Sequence, residues 1–598
     1  MGGILSNLTG SPETSESGCN IFWGHVYQQS QKLMSQDNIW SSWSCWWFVC
    51  GLNNFEPTDS LQVFLELYEV FRKYDDGNGR IPLCQLRKAF NEVHLYPSKS
   101  QIFEMVQCAV EYGSPCEPDH VTFGEFCILV TELKNHYHNC HNIITPKPKS
   151  LYREKKTETD SIKWKKRENT THFQVFLGGS CNPTTWRQEL AIPFLKSHGI
   201  TFYNPQVQNW RPELLELEAQ AKENADIMFF VIDKETRGIS SMIEVGYLVA
   251  SMKQVILVLT EIEDNDTECK RVFTEQEKSD LCRGRKILED LVERNSVPVF
   301  TDIDTALKCT EIVLNQGLRV QDLDLQHGAQ PVIHGHIPVG ETLLQMREAF
   351  NSMDSASFTT VDDQQLTPQE LKLAYKSCTG KDLDSKWLKK KDKHSKYYFE
   401  EFCCIMVESQ VQPSTVQKKI TSFISTIFGK FSGHSSCSMP CHSEKDFRDV
   451  YLGGSCGDSN WRDKIAIPIL RKNGISYVNP FISGYNQKLI PIQVQAREKC
   501  RLLLYVITDR TRSLSSMIEA GYYVGLGCKV ILCIQQMKEG AMIGGEKISE
   551  CGVKDYARGR AYLADLANRE GVHIFEDILE TVMYCVSYLQ EIPVDTGY

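Results

Sequence analysis

The chain has 598 residues, a formal net charge of -11, 41% hydrophobic and 24% charged residues, and a pI near 5.8. That acidic balance argues against nucleic acid as a partner, and the length suits roughly three to five globular domains of about 100–200 residues each. Its 23 cysteines are irregularly spaced, and no charged-then-apolar signal opens the chain; both features predict reduced thiols in a cytoplasmic protein. No run of about 18 apolar residues predicts a transmembrane helix.

Residues 1–60 open with "MGGILSN", which fits the N-myristoylation pattern at Gly2 with Ser6 following. One acyl chain anchors only marginally. Association with a membrane surface would therefore need a second signal, from Trp40, Trp43, Trp46 and Trp47 or from the Lys-rich linker at 136–170. Packing into a core is the competing reading of the tryptophans.

Residues 61–135 hold "LELYEVFRKYDDGNGRIPLCQLRKAF" and "HVTFGEFCILV", which resemble a pair of EF-hands. A calcium loop needs oxygen ligands at fixed places and a closing bidentate glutamate. Asp76 and Asn78 occupy ligand places, but Tyr74 and Gln85 stand at the first and last positions. In the second loop Glu125 closes correctly, whereas Ser114, Cys116 and Pro118 replace carboxylates. The module is expected to be a helical packing unit and a surface for protein partners. No cofactor is expected; calcium is the ion the pattern raises, with Asp76, Asn78 and Glu125 as its candidate ligands. The clusters "HYHNCH" (His136 to His141) and "HSSCSMPCH" (His434 to His442) do not match structural zinc spacings.

From 171 to 323 short apolar runs alternate with amphipathic segments: "FQVFLGG", "ITFYNP", "DIMFFVI", "QVILVL" and "VPVF" read as strands between helices. Nearly continuous apolar strands in a β-α alternation predict a parallel sheet covered on both faces. After a linker at 324–337, a degenerate EF-hand-like pair at 338–410 and a linker at 411–446, the same course returns at 447–598. Glu244 and Glu519 lie 275 positions apart, as do Gly178 and Gly453, Trp186 and Trp461, and Pro205 and Pro480. The predicted fold class is α/β, with two Rossmann/flavodoxin-like doubly wound domains, each preceded by an all-α EF-hand-like module.

In such sheets ligands bind at the carboxyl ends of the strands. There "SSMIEVGY" and "SSMIEAGY" place Glu244 and Glu519 in the opening turns of a helix, where the dipole would hold the carboxylate charged. A charged carboxylate in a crevice can attack an anomeric carbon. Shared by both copies are Arg187 and Arg462, Asn204 and Asn479, Arg237 and Arg512, and the pairs Ser240-Ser241 and Ser515-Ser516. The arginines suit a phosphate or, equally, a salt bridge pinning the first helix. The serines suit sugar hydroxyls or a helix N-cap.

"VFLGGS" or "VYLGGS", the Trp-Arg pair, the "NP" after the second strand and "SSMIE" followed by "GY" two residues on together resemble the nucleoside 2-deoxyribosyltransferase-like family. The resemblance covers the two α/β domains. It implies cleavage of an N-glycosidic bond in a nucleoside or nucleotide through a glycosyl-enzyme intermediate, with Glu244 and Glu519 as nucleophiles. Where the family often carries an acid some six positions earlier, this chain has Gly238 and Ser513. The alternative is a non-catalytic nucleotide-binding or signalling scaffold built on a duplicated, retired enzyme. A NAD-cleaving domain of the TIR type has a related layout, which adds NAD to the substrates worth testing.

Overall fold

A computed structural model of the protein describes residues 59–112, 120–140, 172–207, 214–262, 273–333, 340–352, 365–383, 397–410, 447–480 and 489–591. Gly2, the four tryptophans, the basic linker after residue 140 and the His434 to His442 cluster lie outside these residues.

The first helical module runs α1 (Asp59–Tyr74), β1 (Arg80–Pro82), α2 (Leu83–Glu92), α3 (Lys99–Tyr112), β2 (His120–Thr122) and α4 (Phe123–Cys140). β1 and β2 pair antiparallel with Ile81 opposite Val121. The candidate calcium ligands are used locally. Asp76 Oδ1 accepts the Asn78 amide at 2.8 Å, and Glu125 Oε2 accepts the Thr122 amide at 2.9 Å. Glu125 is buried and fastens the start of its own helix. Among the described residues no three His, Cys, Asp or Glu side chains gather as a metal site.

The first α/β domain follows: β3 (Phe173–Gly179), a π-helical turn (Arg187–Ala191) leading into α5 (Ile192–Ser197), β4 (Phe202–Tyr203), α6 (Leu214–Glu223), β5 (Ala225–Ile232), α7 (Ile239–Ala250), β6 (Val255–Leu259), α8 (Glu275–Glu293), β7 (Val299–Phe300) and α9 (Ile303–Gln316). Its strands are all parallel, in the order β4-β3-β5-β6-β7. This is the 2-1-3-4-5 order of flavodoxin-like sheets. Every residue of β6 is buried, as a strand covered on both faces requires.

The second helical module consists of α10 (Glu341–Ser352), α11 (Pro368–Thr379) and α12 (Phe399–Gln410). Then come β8 (Arg448–Gly454), a second π-helical turn (Arg462–Ala466), α13 (Ile467–Lys472), β9 (Tyr477–Val478), α14 (Leu489–Glu498), β10 (Cys500–Ile507), α15 (Leu514–Gly525), β11 (Val530–Ile534), the short pair β12 (Met542–Ile543) and β13 (Glu546–Lys547), α16 (Glu550–Arg569), β14 (His573–Phe575) and α17 (Ile578–Glu591). The second parallel sheet has the same order, β14-β11-β10-β8-β9 read from the opposite edge. Most of the described helical modules, within 1–93, 106–135 and 340–436, form one unit, and both α/β domains, within 136–339 and 437–598, form the other, together with residues 94–105, which include the first half of α3.

Within the α/β unit the two copies face each other across α7 and α15, with the same positions in contact from both sides. A Cβ on Gly246 would lie 3.3 Å from the Ile518 carbonyl oxygen, and one on Gly521 would lie 3.1 Å from the Ile243 carbonyl oxygen. The ion pairs are reciprocal too. Arg237 reaches Asp555 at 3.1 Å and Arg512 reaches Asp280 at 3.0 Å. This is the self-complementary geometry of a two-fold dimer, here encoded in one chain.

At Gly525 the approach is closer still, since an added Cβ would fall 2.5 Å from the Tyr247 carbonyl oxygen. Backbone cannot yield as a side-chain tip can. Gly525→Ala is therefore expected to destabilise the α/β unit by about 1–3 kcal/mol, with a smaller loss for Gly246→Ala, as read by chemical denaturation of the full chain.

Candidate functional site

The strand ends of the second copy open onto a cavity of about 610 Å³. Gly453, Gly454 and Ser455 close one side, where φ of +98° at Gly454 lets the chain turn away from β8. Asn479 and Pro480 follow β9, Gln493 and Arg497 come from α14, and Ser515, Ser516 and Glu519 come from α15. Arg283 and Ile287, from α8 of the first copy, complete the lining. The crevice is thus composite.

Glu519 meets a fixed cation. Arg497 Nη2 donates to Glu519 Oε1 at 2.6 Å, and the guanidinium lies 5.1 Å from the Tyr451 ring centroid and 5.7 Å from that of Tyr523. Burial works against the Arg497 charge, but Glu519 outweighs it and holds the guanidinium well above its ordinary pKa. Burial pushes the Tyr451 phenol up to about 12. At neutral pH the crevice therefore presents a permanent cation and a protonated phenol.

The first copy solves the same problem with different side chains. Lys222 takes the place of Arg497 and contacts Glu244 directly. It also lies 3.8 Å from Glu218, whose Oε2 accepts a hydrogen bond from the Tyr562 hydroxyl of α16 at 2.8 Å. Glu244 is 8% exposed, and burial foremost, with Glu218 adding to it, raises its pKa despite the lysine.

Several expected roles are corrected by this geometry. Glu244 and Glu519 are each the sixth residue of their helices, beyond the first turn within which the dipole acts. Each draws its counter-charge from α6 or α14 instead. The serine pairs are not N-caps: that position belongs to Gly238 and Ser513, both left-handed at φ of +60° and +56° and without a side-chain cap bond. Ser515 and Ser516 line the cavity; Ser240 and Ser241 are their equivalents in the first copy.

Arg187 and Arg462 hold backbone carbonyls at the ends of the first strands. Arg187 donates to the Leu177 oxygen at 3.2 Å and the Gly179 oxygen at 3.1 Å, and Arg462 to the Leu452 oxygen at 2.9 Å. Both are nearly inaccessible, at 1% and 5%, and pin the strand-end loop; Arg462 also lines the cavity.

Arg237 is held by Glu277 at 2.7 Å and by Asp555, and Arg512 by Asp280 and by Glu546 at 3.1 Å. These two arginines bind the copies together, away from the crevice. Asn204 Oδ1 accepts the Gln206 amide at 3.1 Å in a local turn, while Asn479 lines the cavity. The reading of the sequence missed Lys222 and Arg497, although they too lie 275 positions apart and are both basic. It also missed Tyr451, Asp463, Arg283 and Ile287, for which the repeat gives no signal because the other copy differs or the residue comes from a distant helix.

Residues 172–262 and 448–537 each match the family model described as nucleoside 2-deoxyribosyltransferase like. Each α/β domain thus carries a segment similar to that family, at equivalent places in the two copies. No curated protein and no solved structure matches the chain at a significant level. Among the described residues no helix is long and apolar enough to cross a membrane.

The raised pKa of Glu244 has a measurable sign. Between the unfolded value of about 4.3 and the higher folded value, the native state binds more protons than the unfolded one. The stability tied to this group is thus complete below about pH 4.3 and is lost as pH rises through the folded pKa. Glu244→Gln should remove that loss, so its melting temperature relative to wild type should climb from pH 4 to pH 8 in a buffer series. A difference that stays flat would mean that Lys222 compensates fully.

Proposed function

We propose that the protein cleaves the N-glycosidic bond of a nucleoside or nucleotide at the second-copy cavity, with Glu519 as nucleophile, and passes the sugar to water or to another base. The observation that carries this reading is Glu519 itself: a carboxylate that lines a strand-end cavity of substrate size and is held by the buried Arg497. A small-molecule site of a few hundred Å³ with a few fixed polar groups is what such a substrate requires.

In the first step a Glu519 oxygen attacks C1′ of the sugar, the C1′–N bond breaks, and its electron pair leaves with the base. A proton must reach that base nitrogen. Ser513 occupies the place where the family often has an acid, and Asp463 is the other carboxylate lining the cavity, so we assign the proton transfer to Asp463. In the second step a water oxygen or an incoming base nitrogen attacks C1′. The ester C–O bond breaks, its electrons return to Glu519, and the proton of the incoming nucleophile passes to Asp463.

The test is base release from ribo- and deoxyribonucleosides, their 5′-phosphates and NAD, followed by chromatography. Glu519→Gln should fall to background, and Asp463→Asn should lose about 10²–10⁴-fold in rate. Mass spectrometry of quenched wild type should find the sugar on the peptide carrying Glu519. No release and no binding across the panel would leave the scaffold reading.

A further inference from the structure

The two crevices are related by a two-fold arrangement, yet the helix crossing each of them is not the same helix. In the first copy it is α16, in the second α8. Tyr562 of α16 and Ile287 of α8 are equivalent positions, 275 apart. Ile287 lines the open cavity at Glu519. Tyr562 is 6% exposed, donates to Glu218 at 2.8 Å, and its ring lies 5.9 Å from Lys222 Nζ, the cation that contacts Glu244.

A second tie reinforces the first. Arg569, near the end of α16, reaches Glu216 of α6 at 2.9 Å. In the second copy Gln493 stands at the place of Glu218 and Pro491 at that of Glu216. The residues at the latch positions there, Ile287 and Gln493, cannot form a hydroxyl-to-carboxylate bond.

We propose that the position shared by Ile287 and Tyr562 decides which crevice works: Tyr562 latches α6 over Glu244 and closes the first, while Ile287 leaves the second open. Turnover then belongs to the second copy alone. The first copy serves it as a wall, supplying Arg283 and Ile287 from α8. This assignment rests on the glycosyl-transfer reading for its catalytic half and on side-chain geometry for its latch.

The two halves are tested separately. In hydrogen–deuterium exchange of the full chain, α6 should exchange more slowly than α14. Tyr562→Phe deletes the hydroxyl and keeps the ring, so it should fold and should speed exchange in α6 by about ten-fold or more, as expected for losing a hydrogen bond to a charged group, with α14 unchanged. Equal exchange in wild type and Tyr562→Phe would overturn the latch whether or not any substrate is found. In the base-release assay Glu519→Gln should abolish turnover while Glu244→Gln keeps it. Loss in both variants, or in Glu244→Gln alone, would overturn the division of labour. Absence of turnover in wild type would count against the proposed activity, and the exchange result would still decide the latch. Ile287→Tyr with Gln493→Glu transplants the latch and should silence the second copy with folding intact by circular dichroism.

Discussion

Everything in the α/β unit depends on how closely α7 and α15 approach. Glycine at 246 and 521 lets each helix set its backbone against the other's carbonyls. Close approach of the two helices in turn brings α8 and α16 across the neighbouring copy. Arg237 with Asp555 and Arg512 with Asp280 then lock the crossing with two reciprocal ion pairs, whose arginines are buried and whose aspartates stay partly exposed. Such pairs add little net stability over apolar packing, but leaving one partner alone in the interior is expensive. Their effect is to fix one register, and with it the residues that each crossing helix presents to the opposite crevice.

A homodimer with this geometry would have two identical crevices. Fusing the copies into one chain removes that restraint, because α8 and α16 are free to differ. The differences in the described residues are coherent. Around Arg497 the second copy has Tyr451, Tyr505 and Tyr523, whose equivalents in the first copy are Phe176, Phe230 and Leu248. A planar guanidinium is weakly hydrated and stacks on aromatic faces, whereas an ammonium is a compact charge that needs oxygen partners. The arginine copy surrounds its cation with tyrosine rings. The lysine copy surrounds it with two carboxylates, Glu218 and Glu244.

Much of this was legible in the sequence, for identifiable reasons. Continuous apolar strands such as "VILVL" and "VILCI" announce a parallel sheet because both faces are buried, and the 275-residue offset carries one domain onto the other element by element. The glutamates stood out because a charged residue within an apolar helix is unusual. The arginines misled, since a buried arginine that holds carbonyls and one that awaits a phosphate are the same letter in the same place. Arg187 and Arg462 hold their own loop, and Arg237 and Arg512 hold the neighbouring copy. Contributions across the interface could not be read at all: Ile287 and Tyr562 acquire meaning only when α8 and α16 cross the opposite domain.

The position of the glutamate within its helix explains why its neighbours matter so much. At the sixth residue Glu244 and Glu519 are too deep for the helix amides to hold their charge. A buried carboxylate without a counter-charge shifts toward its neutral form, and a neutral acid is no nucleophile. The counter-charge therefore has to come from the preceding helix, where Lys222 lies 22 residues before Glu244 and Arg497 lies 22 before Glu519. In the second copy one guanidinium serves one carboxylate, at the place where the cavity opens. In the first copy one ammonium is divided between Glu244 and Glu218, burial raises the Glu244 pKa, and the tyrosine bonded to Glu218 occupies the place where the second copy keeps an isoleucine beside open space. The chemistry available to each glutamate is thus set less by its own helix than by what faces it from α6 or α14 and from the helix that crosses over from the other copy.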